Sequence, residues 1–336
     1  MRIARYIAIR IALVVPVLLG VIVLTFLLVR VLPGDPVQAF VGPNTTAEDL
    51  DAIRQRLGLD APLWSQFLDY LGGIFVGDFG TSIQTGVPVS TELAFRLAPT
   101  LELVFLGVGL AVVVAIVIGI ISALRVNSPL DHTSRITSLV GTAMPEFWLG
   151  LILIVIGYQQ LGWFPGPSGR IGRGLSPTPI TGAEAVDALL TGNWPALGSA
   201  LLYLVLPVLT IAVGVTASLL RSVRSAAIDI RAAAPWSTAR AHGISGRPLV
   251  TGYLLRGTVS RIPTLAALVL GNVLGGVVLV EYVFSWQGMG QWLLRGLLYR
   301  DYPVVQAGVV IIALVYAVAY LVADVIHAAL DPRVRL

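Results

Sequence analysis

The chain has 336 residues, of which 56% are hydrophobic and 12% charged, with a net charge of +4. Soluble domains carry about 25% charged residues, so this composition favours an integral membrane protein and gives no basic face of the kind that binds nucleic acid. The chain contains neither cysteine nor lysine. Disulfides, cysteine-ligated metals and a lysine-containing phosphate-binding loop are therefore excluded.

Six charge-poor stretches are long enough to cross a bilayer, which takes about 20 apolar residues in a helix. Because lipid offers no hydrogen-bond partners to the backbone, each stretch is predicted to be α-helical. The third starts as early as Thr137 if Glu146 lies within it. The predicted fold class is an all-α polytopic membrane protein with six transmembrane helices. The six stretches are residues 11–29, 103–124, 147–161, 201–220, 262–280 and 302–323.

Most of the arginines precede the first stretch, follow the second and fourth, or end the chain. Cytoplasmic loops carry such an excess, so both termini are predicted to be cytoplasmic in a multi-pass protein of the bacterial plasma membrane. Residues 1–33 then form the N-terminal tail and first transmembrane helix, and residues 34–98 form an extracytoplasmic segment. Residues 99–336 form the core with the other five helices. Its largest cytoplasmic loop covers about 221–261.

The extracytoplasmic segment contains a predicted amphipathic helix at 46–57, with Thr46 as its cap and acidic residues in its first turn. The following stretch, "LWSQFLDYLGGIFVGDFG", carries aromatic residues that suit the membrane–water interface.

The large cytoplasmic loop contains "STARAHGIS" at 237–245. Pro235 suits a first helical turn and Gly243 suits a left-handed cap, so a short helix is predicted at 236–242. Its alanines keep this helix thin enough for another protein to approach the backbone, and its basic residues supply hydrogen-bond donors. A solvated loop whose arginines only set the topology is the alternative. The candidate contact residues are Ala239, Arg240, Ala241, His242 and Gly243.

Ionisable residues within or near spans are candidates for function. Glu146 follows Pro145, which is predicted to break the third helix, and is a candidate for facing a polar passage. Glu281 is a second candidate, or it ties the fifth span to the following "SWQGMG" turn. Gly271 and Gly275 are four residues apart and share one helix face, which predicts close packing or a place beside the pathway. Polar anchors and internal packing are the alternative roles.

Together these motifs resemble the B-type permease subunit of bacterial dipeptide/oligopeptide (peptide/nickel) ABC importers. The loop ending at Gly243 and followed by Ile262-Pro263 is similar to the cytoplasmic "EAA" loop of such permeases. The other stretches that carry the resemblance run in order along the whole chain. They are "RVLPGDPV" at 30–37, "GDFGTSI" at 77–83, "RLAPTLEL" at 96–103, "VEYVFSWQGMGQWLLRGLLYRDYPVVQ" at 280–306 and "ALDPRVR" at 329–335.

The resemblance implies the type I ABC importer permease fold and a set of partners. These are a homologous second permease, two ATP-binding subunits (or one fused), and an extracytoplasmic binding protein that delivers a peptide. The helix near 236–243 would be the coupling helix, and the partners would bind ATP and magnesium. No catalytic residue, cofactor or metal site is expected in this chain.

Nickel chelates and glutathione stay open as substrates within the same fold. A proton-coupled secondary transporter and an intramembrane enzyme are alternatives from other classes.

Overall fold

The computed structural model describes residues 2–31, 60–260 and 262–330. Within those ranges the chain is helical, and its β-structure is a single bridged pair, Thr81 and Pro88. The predicted helix at 46–57 lies outside the described residues. The helices are α1 Arg2–Val31, α2 Leu63–Val76, α3 Val89–Leu124, α4 Pro129–Ala143, α5 Glu146–Leu153, α6 Glu184–Leu190, α7 Trp194–Ala232, α8 Ala234–Ala241, α9 Arg247–Leu249, α10 Arg256–Val259, α11 Ile262–Phe284, α12 Met289–Leu298 and α13 Tyr302–Leu330. Two π-helical segments, Ile154–Gln160 and Val250–Leu255, continue α5 and join α9 to α10.

In the described ranges, five helices are long and apolar enough to cross a membrane: α1, α3, α7, α11 and α13. Helices α4 and α5 with its π-helical continuation form a sixth candidate that is bent by 106°. This arrangement confirms the fold class predicted from the sequence.

The helices extend beyond the predicted spans, because a charge-free window detects only their apolar middle. Helix α3 begins at Val89, so the expected segment border at 98/99 falls inside it. Helix α7 has 39 residues and starts from Asn193, whose side chain accepts a hydrogen bond from Ala196 N at 3.2 Å.

The bend in the third span lies at Met144 and Pro145, as the sequence predicts. Both residues have extended backbone, with ψ of 125° at Met144 and 134° at Pro145. A proline disfavours the helical conformation of the residue before it, so α4 ends there and α5 restarts at Glu146. Helices α4 and α5, the two arms of the third span, therefore point in different directions. Glu146 lies at the corner between them.

The main core forms between α3 and α7. A Cβ on Gly107 would lie 2.7 Å from an Ile211 methyl, and one on Gly119 would lie 2.7 Å from a Val223 methyl. Real Cβ atoms do not approach so closely, so the two glycines let α3 and α7 pack at short range over a large part of their length.

Two carboxylates hold the connection between α5 and α7 at the end of the bundle opposite α8. Glu102 of α3 accepts a hydrogen bond from Ala185 N at 3.1 Å, which fixes α6 against α3. Asp187 accepts from the Thr181 hydroxyl at 2.6 Å and from the N–H groups of residues 180–182. Burial by itself raises the pKa of Asp187, but these hydrogen bonds outweigh it and hold the pKa below its ordinary value.

We expect Asp187→Asn to loosen this connection, since an amide places donors against the donors of residues 180–182. Hydrogen exchange of those N–H groups should accelerate in Asp187→Asn and stay unchanged in the neighbouring control Glu184→Gln. Because the folded pKa is depressed, the stabilisation is present above the unfolded value of about 3.9 and is lost as the pH falls through the folded value. Protection that already declines between pH 7 and 5 would contradict this assignment.

Candidate functional site

The predicted short helix of the large loop is α8, which begins at Ala234, two residues before the expected start. Gly243 has φ of +81°, as its predicted role as a left-handed cap requires. Its N–H donates to Arg240 O at 3.0 Å, and the next N–H, of Ile244, donates to Ala239 O at 3.1 Å. These two bonds form a Schellman motif, which satisfies the last carbonyls and stops the helix sharply.

Two side chains of α8, Trp236 and Ala239, are buried against the protein itself. They pack in one hydrophobic cluster with the ends of α3 and α7 and with α9 and its continuation. The other members of this cluster are Ile120, Ala123, Ala227, Leu249 and Leu254. Ala239 therefore supports α8 from behind rather than presenting its own side chain outwards.

The outward side of α8 carries Arg240, Ala241, His242 and Gly243, all exposed. His242 Nδ1 lies 2.9 Å from Thr238 O. A carbonyl oxygen only accepts, so Nδ1 carries the hydrogen and Nε2 faces away from the helix. The exposed tip thus combines a guanidinium, a small alanine and an imidazole fixed in orientation.

A concave surface of about 680 Å³ lies where α7 meets α8. Its lining includes two arginines, Arg231 and Arg240, around Trp236. The Arg231 guanidinium also donates to Ala123 O, which binds the end of α7 to the end of α3. The surface beside α8 is therefore positively charged, and the helix ends beneath it are held together by this hydrogen bond.

A buried ion pair joins α4 to α7 at the same end of the bundle. Asp131 is fully buried, and its carboxylate accepts from Arg224 Nε at 2.6 Å and Arg224 Nη2 at 2.9 Å. It also accepts from the Ser122 hydroxyl and from Asn127 N at 3.0 Å. One side chain thus holds α3, the α3–α4 turn, α4 and α7 together.

At the opposite end, Glu281 is fully buried and joins α3, α11 and α12. Its carboxylate accepts from the Thr100 hydroxyl and from Gln291 N at 2.9 Å, while Met289 N donates to Thr100 Oγ1 at 2.7 Å. Gly288 fits here because a Cβ would lie 2.3 Å from Glu281 Oε1. Glu281 therefore has the tying role that the sequence offered as the alternative, and it binds "RLAPTLEL" to "SWQGMG".

A second tie at that end involves Asp301, which precedes α13. Its Oδ2 accepts from the Ser82 hydroxyl at 2.6 Å and from Gln84 N at 3.0 Å. The "GDFGTSI" stretch is thereby fixed to the start of the last helix.

Glu146 lies between α7 and α11, where two glycines make room for it. A Cβ on Gly214 would lie 3.3 Å from Glu146 Oε1, and a Cβ on Gly276 would lie 3.0 Å from Oε2. Oε2 is enclosed and has no hydrogen-bond partner in the described part of the chain. The residue as a whole is partly exposed.

The two candidate glycines of α11 have different surroundings. A Cβ on Gly271 would lie 2.0 Å from the Tyr316 ring, so Gly271 packs α11 against α13. A Cβ on Gly275 would meet nothing within 4 Å, and Gly275 is exposed. Within the described chain the close approach on this part of α11 occurs at Gly276 rather than at Gly275, because the neighbouring helices set the rotation of α11. A place for Gly275 beside the pathway stays a prediction.

Sequence reasoning missed Asp131, Arg224 and Asp301. Asp131 and Arg224 are 93 residues apart in the chain, and each reads locally as a loop-side charge. The local signal that was present is "SPLD", in which Ser128 caps α4 by accepting from Asp131 N at 3.2 Å.

Long apolar helices, a small fixed helix at one end and an enclosed carboxylate between spans are typical of a polytopic membrane transport component. A family described as "Binding-protein-dependent transport system inner membrane component" matches residues 115–336. Its N-terminal companion, "Binding-prot-dependent transport system membrane comp, N-term", matches residues 3–103. The chain belongs to this family of multi-pass inner membrane permease components.

Curated proteins resemble it over nearly the full length. The probable D,D-dipeptide transport system permease protein DdpB of Escherichia coli is 40% identical over 95% of this chain and 94% of its own. The di/tripeptide transport system permease protein DppB of Pseudomonas aeruginosa is 37% identical over 98% of each. The glutathione transport system permease protein GsiC of Escherichia coli is 34% identical over 98% of this chain and 99% of its own.

We expect Arg224→Gln to destabilise the protein by about 3 kcal/mol, because it leaves the buried Asp131 carboxylate without its counter-charge. The measurement is thermal unfolding of the purified protein in detergent. Asp131→Asn combined with Arg224→Gln should recover most of the loss, and the exposed neighbour Arg221→Gln should unfold like the wild type. A double variant no more stable than Arg224→Gln would show that the ion pair is not the cause.

Proposed function

We propose that the chain is the permease subunit of an ATP-driven importer of di- and oligopeptides. A homologous permease completes the pathway, two ATP-binding subunits or one fused subunit drive it, and an extracytoplasmic binding protein delivers the peptide. ATP and magnesium are held by the partner subunits, and this chain itself is not an enzyme. Both termini lie in the cytoplasm.

The observation that carries this proposal is the construction of α8. Its exposed tip at residues 240–243 ends sharply, and its buried face is packed against α3, α7 and α9. A force on the tip therefore moves the ends of α3 and α7 rather than bending a loop. Such a stiff lever suits a subunit whose energy comes from another protein.

The ion pair Asp131–Arg224 extends this lever to the bent span. Arg224 lies on α7 before α8, and Asp131 lies on α4, whose far end is the corner at Pro145. Movement of α8 then changes the angle between the two arms next to Glu146. This is a route from ATPase movement to the pathway.

Peptides are favoured as the substrate because similar permeases are named for dipeptides and di/tripeptides. The glutathione relative keeps a modified tripeptide as the second candidate. Uptake of labelled dialanine into vesicles carrying the assembled transporter and its binding protein tests the proposal. We expect uptake only when ATP is present on the side of the vesicle membrane where the ATP-binding subunits lie. Uptake that persists without ATP and collapses with the proton gradient would identify a secondary transporter instead.

We expect Gly243→Val to uncouple ATP hydrolysis from transport. A β-branched residue in left-handed backbone costs about 1–2 kcal/mol or more, and a Cβ here meets nothing within 4 Å, so the effect is on the helix stop alone. The measurement is peptide imported per ATP hydrolysed. Gly243→Asn is the matched control, because asparagine tolerates this conformation and should stay near the wild type. If the wild type and both variants import the same amount of peptide per ATP hydrolysed, Gly243 has no role in coupling.

Cysteine substitution maps the docking surface. Ala241→Cys should cross-link to a co-expressed ATPase subunit and react with a thiol reagent added from the cytoplasmic side. Ala239→Cys, two residues away, is the control and should do neither, because Ala239 is buried in the protein itself. Labelling of Ala241→Cys from outside the cell would overturn the orientation.

A further inference from the structure

Glu146 differs from the other tightly held carboxylates of the described chain. Asp131, Asp187 and Glu281 each accept hydrogen bonds from at least two groups. Among the carboxylates in the described ranges, Glu146 is the one with an enclosed oxygen that has no partner. An ionised carboxylate in a membrane span is costly unless something pairs with it.

The depth of Glu146 follows from its neighbours. Gly214 lies about halfway along the 39-residue helix α7, and Gly276 lies inside α11 well away from both ends. At 1.5 Å per residue, Gly214 lies about 10 Å along α7 from Arg221, its nearest charged residue, and Gly276 lies about 8 Å along α11 from Glu281. Glu146 therefore lies beside the charge-free apolar stretches of both helices rather than at their charged ends.

No cation of the two helices that enclose Glu146 lies at this depth. Helix α7 carries no charged residue from Trp194 to Leu220, and α11 carries none from Ile262 to Val280. The nearest basic residue on the bent span, Arg135, lies three turns before the corner, where its guanidinium contacts His132. The helices around Glu146 therefore supply no counter-charge to an ionised carboxylate at this position.

Two other polar residues lie one helical turn from the glycines that adjoin this carboxylate. Ser218 is four residues after Gly214 on α7, and Asn272 is four residues before Gly276 on α11, so each shares a helix face with one of the two glycines. Because α7 and α11 run in opposite directions, both lie one turn from Glu146 toward the α8 end of the bundle. Ser218, Asn272 and Gly275 are exposed. We name Glu146, Ser218, Asn272 and Gly275 the Glu146 patch.

We propose that the Glu146 patch is a substrate site that receives the terminal ammonium group of a peptide on its way through the membrane. The Glu146 carboxylate accepts hydrogen bonds from the ammonium, and Ser218 and Asn272 offer a donor and an acceptor to the neighbouring peptide group. Gly275, on which a Cβ would meet nothing within 4 Å, leaves the backbone of the substrate room to approach. This inference rests on the proposed function and adds the chemical group that is recognised.

The test compares uptake of dialanine by the wild type and by Glu146→Gln in vesicles carrying the assembled transporter, at the same binding protein concentration. Loss of a charge-assisted hydrogen bond corresponds to about a tenfold slower uptake at pH 7. ATP hydrolysis should continue at the wild-type rate, because the variant blocks passage and leaves the lever intact. Glu146→Asp should fall between the two proteins.

The pH dependence of the ratio of wild-type to Glu146→Gln uptake identifies the group that is recognised. A peptide amine has a pKa of about 8, so at pH 9 most of the substrate is uncharged and the ratio should fall below about three. Effects of pH on the binding protein and on ATP hydrolysis cancel in the ratio. Glu102→Gln is the matched control, because its remaining Oε1 still accepts from Ala185 N, and its uptake should match the wild type at both pH values.

Each other outcome overturns the inference. If the wild type and Glu146→Gln take up dialanine at the same rate at pH 7, Glu146 does not contact the substrate. A tenfold ratio that persists at pH 9 indicates a fixed cation, such as an arginine of the homologous permease. A parallel loss of uptake and ATP hydrolysis indicates a structural role. If the wild type itself imports no dialanine, the proposed peptide function fails and not the Glu146 assignment alone.

Discussion

Carboxylates that accept hydrogen bonds from other segments of the chain hold this structure together. Apolar helices in lipid gain little from hydrophobic burial against one another, so close packing and hydrogen bonds decide which helices associate. Asp131 joins α4 to α7, Glu281 joins α3 to α11 and α12, and Asp301 joins the residues before α3 to α13. These three acidic residues are thus placed where separate parts of the chain must stay in register.

The sequence was sufficient for features that depend on local rules. The apolar spans, the break at Pro145 and the left-handed cap at Gly243 follow from composition and backbone restrictions, and the structure has all three. Features that depend on distant pairing were out of reach. Nothing near Asp131 in the chain shows that Arg224 will meet it, and the spacing of Gly271 and Gly275 does not reveal how α11 is rotated against α7.

The ties also separate the rigid parts of the molecule from the part that can change. Both ends of the bundle are fixed, one by the α8 cluster with Asp131 and the other by Glu281 with Asp301. Between them, the third span is interrupted at Pro145, where the helical hydrogen-bond ladder is already broken. Changing the angle there costs fewer hydrogen bonds than bending α7, so the corner beside Glu146 is the natural place for movement.

A single carboxylate at that corner fits a transporter that accepts many peptides. Every unmodified peptide has a terminal ammonium group whatever its side chains are, so one charge recognises the class without selecting among sequences. At an effective dielectric constant of about 20, two charges 4 Å apart attract by roughly 4 kcal/mol, which offsets part of the cost of moving the ammonium out of water. The other polar side chains of the Glu146 patch, Ser218 and Asn272, are uncharged, so the attraction assists passage without trapping the peptide.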